Sequence, residues 1–143
     1  MQIHGGCHCG NISFVLRLQV GPGGISARAC ACSFCVKHGG IWTASPMGVL
    51  RVRVREPRHV SRYTFDTKTA EFHICSRCGI VPLVTCAIEG RLFAVVSVNA
   101  LDGVDPALLR RGSADFDGEH ADARLARRER NWIGDVEIAS DRG

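Results

Sequence analysis

Eight cysteines in a chain of 143 residues constrain the fold more than any other feature of this sequence. Seven of them fall into three short clusters, which read Cys7-His8-Cys9-Gly10, Cys30-Ala31-Cys32-Ser33-Phe34-Cys35 and Cys75-Ser76-Arg77-Cys78-Gly79. In a reducing compartment, cysteines at such short spacings are more typical of metal ligands than of disulfides. The chain is therefore expected to fold around bound metal.

The first and third clusters are expected to share one structural zinc. Each supplies two thiols, and in each a glycine follows the second cysteine, whereas Val36 follows the middle cluster. A glycine there permits the left-handed turn that points backbone N–H groups at the sulfurs. A structural zinc is usually held by two such chelating pairs. The predicted four-thiolate set is Cys7, Cys9, Cys75 and Cys78.

The middle cluster then leaves three thiols, Cys30, Cys32 and Cys35. Three protein ligands and one open position are what a catalytic zinc requires. The same thiols could instead form a second structural zinc site completed by His8 or His38, a shared metal cluster, an iron–sulfur site or a redox motif. The redox interpretation is disfavoured because the βαβ pattern that supports such motifs is missing.

Alternating apolar and polar residues predict a mainly β, mostly antiparallel fold. The predicted strands cover residues 12–18, 41–43, 50–55, 62–65, 71–74, 81–88 and 92–98. Glu89-Gly90 is expected to close the last two strands into a hairpin. Cys86 lies in an apolar run and is interpreted as a small buried hydrophobe.

The whole chain, residues 1–143, is predicted to be one domain. Its motif-bearing β core spans about 4–100 and a helical C-terminal appendage spans about 101–143. Within the appendage we expect a short helix over 105–111, a loop over 112–118, a helix over 119–132 and a short strand at Val136 and Ile138. Leu125 and Trp132 are expected to dock the longer helix. Its arginines are interpreted as a solvated face, because Asp122 and Glu129 are interleaved with them; they are Arg124, Arg127, Arg128 and Arg130.

The charge balance limits the choice of partners. Eighteen basic and fourteen acidic residues give a net charge of +4, which suits a small anionic ligand but is too weak to indicate nucleic acid. The ladder Arg51, Arg53 and Arg55 is interpreted first as a solvated strand face, and second as a site for carboxylates. The sequence shows no apolar stretch of about 20 residues and no secretory signal, so a cytoplasmic location without membrane contact is expected.

The three cysteine motifs, in this order, resemble the glutathione-dependent formaldehyde-activating enzyme family, which includes the centromere protein V group. The resemblance covers roughly residues 4–100 and implies a zinc-stabilised antiparallel β "tent" of the Mss4-like type. It implies that the first and third motifs bind structural zinc and that the middle triplet binds a labile catalytic zinc. The middle motif departs from the family's frequent Cys-His-Cys pattern, since Ala31 stands in place of the histidine.

The activity implied by this resemblance is that of a carbon–sulfur lyase, which joins formaldehyde and glutathione reversibly into S-hydroxymethylglutathione. Glutathione or another thiol would be the cosubstrate of a small aldehyde. Lys37 and His38 follow the triplet closely and are candidates for binding the cosubstrate, although both are also compatible with a solvated loop. The alternatives are a non-catalytic zinc-stabilised binding module and a thiol redox or metal-handling protein. The oligomeric state is left open.

Overall fold

Two β-sheets form the framework of the protein. The computed structural model describes residues 1–116 and 118–141. The strands are β1 (Gln2–Gly6), β2 (Ile12–Arg17), β3 (Ile25–Cys30), β4 (Ile41–Thr43), β5 (Val49–Val54), β6 (Val60–Tyr63), β7 (Glu71–Cys75), β8 (Leu83–Ile88), β9 (Arg91–Ser97), β10 (Leu109–Ala114) and β11 (Asp135–Ser140). The helices are α1 (Ser33–His38) and α2 (Ala121–Asn131), and 3-10 turns lie at Pro57–His59, Val98–Ala100 and Pro106–Leu108.

The smaller sheet has the strand order β1-β2-β5-β11, and the larger has the order β10-β3-β4-β9-β8-β7-β6. Neighbouring strands are antiparallel except for two pairs, β10 with β3 and β11 with β5, which are parallel. The prediction of a mainly β, mostly antiparallel fold is confirmed.

The two segments with the strictest alternation, 12–18 and 50–55, form strands β2 and β5. In β2 and β5, alternate side chains are buried, as the period of two predicts. The predicted hairpin joins β8 to β9, and both turn residues, Glu89 and Gly90, have positive φ. Such a turn matches the natural twist of the two strands.

The segment after residue 100 differs from its prediction. The short helix expected over 105–111 is a 3-10 turn, capped by the side chain of Asp105, that leads directly into β10. The loop expected over 112–118 is strand as far as Ala114. The expected helix over 119–132 is α2, and the expected last strand is β11. This segment thus adds a strand to each sheet, while the prediction of one domain stays a prediction.

Two cores lie on either side of the larger sheet, because alternate residues of β9 point in opposite directions. Ala94 and Val96 belong to the core shared with the smaller sheet. Phe93 and Val95 belong to a second core beneath α2, where Trp132 packs as expected.

The arginine ladder of β5 is a solvated face, as first interpreted. Arg51 lies 2.9 Å from Asp135, and Arg53 lies 2.8 Å from Asp141, so the acidic partners come from or follow β11. Within the described residues, no helix is long and apolar enough to cross a membrane.

Candidate metal centres and the adjoining cavity

The four cysteines of the first and third clusters meet at one point. All four Sγ atoms of Cys7, Cys9, Cys75 and Cys78 lie within 4.8 Å of one another. The Sγ atoms of Cys7 and Cys9 are 3.7 Å apart, and those of Cys9 and Cys75 are 3.5 Å apart. A zinc ion about 2.3 Å from four sulfurs sets neighbouring sulfurs about 3.8 Å apart. The donor set and its spacing therefore fit a tetrahedral zinc.

The two glycines that end these clusters adopt the backbone expected of them. Gly10 has φ of 83° and Gly79 has φ of 79°, so both turns are left-handed and suit glycine. Backbone N–H groups also reach the sulfurs, since Ile12 donates to the Sγ of Cys7 at 3.2 Å. Such donors stabilise thiolate and prepare the group for a cation.

Burial and hydrogen bonding divide the ionisation of these thiols. Burial raises the pKa of Cys75 to about 12. Burial also opposes ionisation of Cys78, yet backbone donors at Cys9 and Ile80 bring its pKa to about 6. One thiol is thus ready to ionise near neutrality, and a bound metal would displace the protons of the others.

The middle cluster forms a second group of three converging sulfurs. The Sγ atoms of Cys30, Cys32 and Cys35 lie within 4.8 Å of one another. Cys30 ends β3, Cys32 caps the N-terminus of α1, and Cys35 lies inside that helix. The backbone N–H of Cys35 donates to Cys32 Sγ at 3.4 Å, and the indole of Trp42 donates to Cys35 Sγ at 3.4 Å. This three-thiolate set also fits zinc, with a fourth position left for another ligand.

The three thiols share protons unequally. The hydrogen bond with Cys35 lowers the pKa of Cys30 to about 6, and the same bond raises the pKa of Cys35. Burial raises the pKa of Cys32. Without metal, the negative charge is therefore concentrated on Cys30.

The triplet opens onto a cavity of about 360 Å³. That volume falls in the range of roughly 300–1,000 Å³ that is usual for small-molecule sites. Much of the wall is apolar, and this part consists of Trp42, Phe65, Phe72, Phe116, Val84, Val95 and Trp132. Helix α2 also contributes to the lining, so the triplet and the C-terminal helix face the same cavity.

The interpretation of the α2 arginines as a solvated face is wrong for three of the four. Arg124, Arg127 and Arg128 all line the cavity, and Arg128 is only 6% exposed. Their burial follows from the docking of α2 through Leu125 and Trp132, which turns this side of the helix toward the larger sheet. Arg130 is exposed, as expected.

Lys37 and His38 lie outside the residues that line the cavity. Both are exposed in the last turn of α1, where the His38 ring lies 4.5 Å from the Phe34 ring. Their role in binding a cosubstrate stays a prediction. Among the described residues, no histidine joins either sulfur group, so neither His8 nor His38 completes the triplet in this structure. Cys86 is buried, as expected.

Fold and site together define a mainly β protein with one closed four-cysteine centre and one three-cysteine centre that faces a cavity. The chain belongs to the family described as glutathione-dependent formaldehyde-activating enzyme, whose family model matches residues 2–111. Its structure is similar to the crystal structure of a Rhodobacter sphaeroides protein that is 35% identical, with a TM-score of 0.56. That likeness covers 73% of this chain and 92% of the other.

The sequence-based prediction did not include helix α1 or the buried position of Arg128. Helix α1 carries the signals of a short helix, namely Cys32 as a side-chain cap and Gly39 as a left-handed C-cap. Arg128 was detectable by spacing, since it shares one helical face with Leu125 and Trp132. The alternation of arginines with Asp122 and Glu129 favoured a solvated face instead, and this interpretation was wrong for Arg128.

Proposed function

We propose that this protein is a zinc-dependent enzyme of the carbon–sulfur lyase type, which forms or breaks an adduct between a thiol and a small aldehyde. Glutathione and formaldehyde are the pair that the family description suggests. The observation that carries the proposal is the convergence of Cys30, Cys32 and Cys35 at the wall of the cavity. A purely structural metal would not require an opening beside its ligands.

The proposed reaction balances without any oxidant or reductant. The thiol sulfur bonds to the aldehyde carbon while the second bond of the carbonyl breaks. The proton lost by the thiol is matched by one gained at the carbonyl oxygen, which becomes the hydroxyl of the adduct. The reverse direction breaks the same carbon–sulfur bond and returns the thiol and the aldehyde.

When bound, a zinc ion held by three thiolates offers a fourth position that favours a soft thiolate and lowers the pKa of an incoming thiol. The protein's own residues prepare that position. The backbone N–H of Cys35 and the indole of Trp42 hold the sulfurs of Cys32 and Cys35 in place. Such donors fix the ligand geometry as outer-shell contacts do in other metal sites.

The cavity wall supports the same chemistry. Trp42, Phe72 and Val95 present apolar surface beside the triplet, which limits the water that would otherwise add to the aldehyde carbon. The cavity is lined by more arginines than carboxylates, which favours an anionic thiol. The site therefore suits an addition that needs an activated sulfur and little competing water.

The Cys32→Ser variant tests this proposal. We expect it to lose one of two bound zinc ions and to form S-hydroxymethylglutathione at least about a hundredfold more slowly, because the sulfur-binding position is disrupted. The fold should be kept, since the four-cysteine centre is intact. Metal content is measured by mass spectrometry and adduct formation by NMR. The Cys86→Ser variant is the control for metal content, because Cys86 belongs to neither sulfur group.

Full adduct formation by a folded Cys32→Ser protein would contradict the proposal. One tightly held zinc per chain with no adduct formation in the natural protein would favour the non-catalytic module. Reversible oxidation of the triplet with release of zinc would favour a redox or metal-handling role.

A further inference from the structure

The cavity wall carries an excess of positive charge. Four arginines and one carboxylate line it among the described residues, namely Arg28, Arg124, Arg127, Arg128 and Asp66. Most of the wall is otherwise apolar. Charges in such surroundings interact more strongly than they do in water, so the pairing of each guanidinium decides what the cavity can bind.

Two of these arginines are already neutralised by acidic groups of the chain. Arg124 lies 2.8 Å from Asp66. Arg127 donates to both carboxylate oxygens of Glu119 and stacks 3.5 Å from the centre of the Phe116 ring. These pairs position the helix and leave little charge free for a ligand.

Arg128 has no carboxylate partner among the described residues, and unlike Arg28, which is exposed, it is deeply buried. Its side chain lines the cavity, and the residue is 6% exposed. Nη1 donates to Thr69 Oγ1 at 2.7 Å and to Cys86 Sγ at 3.5 Å. Nε is buried and has no hydrogen-bond partner within the described part of the chain. The guanidinium also lies 5.1 Å from the centre of the Trp132 ring.

A buried guanidinium without a counter-charge is costly to keep, and proteins rarely retain one without a partner or a ligand. Thr69, Cys86 and Trp132 hold this one in place, and none of them is a carboxylate. An anion that enters the cavity would supply the counter-charge that this guanidinium lacks. A carboxylate suits it best, because the planar fork of arginine matches two carboxylate oxygens.

We propose that Arg128 binds a carboxylate of the thiol cosubstrate, so that the enzyme selects thiols that carry an acid group. This inference rests on the proposed function, in which the aldehyde is small and uncharged and the anion must therefore belong to the thiol. Arg128 lies beyond residues 2–111, which the family model matches. The family match therefore does not specify this contact.

The test uses S-methylglutathione, which keeps both carboxylates but cannot bind metal as a thiolate. It is compared with the diethyl ester of the same compound, which lacks both carboxylate charges and keeps the ammonium group. Calorimetry on the zinc-loaded protein compares the natural chain with Arg128→Gln. The matched control is Arg130→Gln, which removes the same charge from an exposed position of the same helix.

We expect Arg128→Gln to weaken S-methylglutathione binding by about tenfold or more. Arg130→Gln should bind it within about twofold of the natural protein. The diester should bind weakly and equally to all three proteins. Equal affinity of the two variants for S-methylglutathione would overturn the inference, as would the absence of saturable binding to the natural protein.

Arg128 also packs against Trp132, so its glutamine variant could unfold. In that case the comparison of the diacid with the diester on the natural protein tests whether a carboxylate is bound, and Arg128→Lys tests whether Arg128 binds it. Equal binding of the two compounds would overturn the inference. Arg128→Lys, which keeps the charge but loses the fork, should bind the diacid more weakly than the natural protein does.

These binding measurements, together with the adduct assay on glutathione, distinguish failure of this inference from failure of the proposed function. Arg128-dependent binding of S-methylglutathione without any adduct formation would leave the carboxylate site standing and remove the lyase assignment. Adduct formation with the same KM for glutathione in the Arg128→Gln and Arg130→Gln proteins would leave the lyase assignment standing and remove this inference.

Discussion

In each cysteine group, one thiol has a much lower pKa than its buried neighbours. Each group combines one thiol whose pKa is about 6, Cys78 or Cys30, with neighbours whose pKa is raised by burial or by a shared hydrogen bond. A single ionised sulfur can attract a cation, and the bound cation then displaces the remaining protons. Both groups are therefore expected to bind zinc less tightly as the pH falls, because protons compete with the metal for the same thiolates.

At this scale the clearest prediction concerns Cys78. We expect Cys78→Ser to lose the zinc of the four-cysteine centre and to unfold, or to melt at least about 10 °C lower, because binding of structural zinc contributes directly to folding. The zinc of this centre would join Cys9 to Cys75, which are 66 residues apart in the chain. Loss of the zinc would therefore free a long loop. Metal analysis and thermal melting followed by circular dichroism measure the effect.

The Cys86→Ser protein is the appropriate reference for this comparison, since it also removes one thiol but from neither metal group. Unchanged metal content and melting behaviour in the Cys78→Ser protein would rule out the assigned pairing of the four cysteines.

Among the elements, α2 connects the fold to the site. Its buried side packs on the second core through Leu125 and Trp132, and the following residue, Ile133, exchanges backbone hydrogen bonds with Ala94 of β9 at 2.9 and 3.0 Å. The helix is thus held at its C-terminal end, where it places Arg128 beside the cavity.

We expect Trp132→Ala to destabilise the protein by about 3 kcal/mol, because it removes a large buried ring and leaves a void that the sheet cannot fill. Trp132→Phe should cost less than half as much, since it keeps an aromatic ring in the same position. Urea unfolding curves of the two variants measure the difference. Equal stability of Trp132→Ala and the natural protein would show that α2 does not dock through this residue.

The elements also show how far the sequence predicts this fold. Strands β2 and β5 were predictable because each buries one face, so their period of two is strict. Strand β3 was missed because it contains small residues and because one of its two partners, β10, is distant in sequence. The two sulfur groups were predictable from short spacings, whereas the contribution of α2 to the cavity depends on how a distant helix docks.

In the molecule as a whole, the two cysteine centres lie beside different hydrophobic cores. The four-cysteine centre adjoins the core between the sheets, through Cys7 and Cys75. The triplet adjoins the second core through Cys35, on the side where α2 closes the cavity. Because the two centres adjoin different cores, we expect loss of a metal from the triplet to leave the framework folded.

The central claim is that the triplet holds a metal whose remaining position takes a thiol sulfur, and cadmium-113 NMR tests it most directly. Cadmium accepts the same thiolate ligands as zinc, so protein loaded with two equivalents should give two resonances. Glutathione should shift one resonance and leave the other in place, whereas S-methylglutathione should not produce the shift of a new sulfur ligand. The shifting resonance should be absent from the Cys32→Ser protein. A single resonance in the natural protein, or two that glutathione leaves unmoved, would contradict the claim.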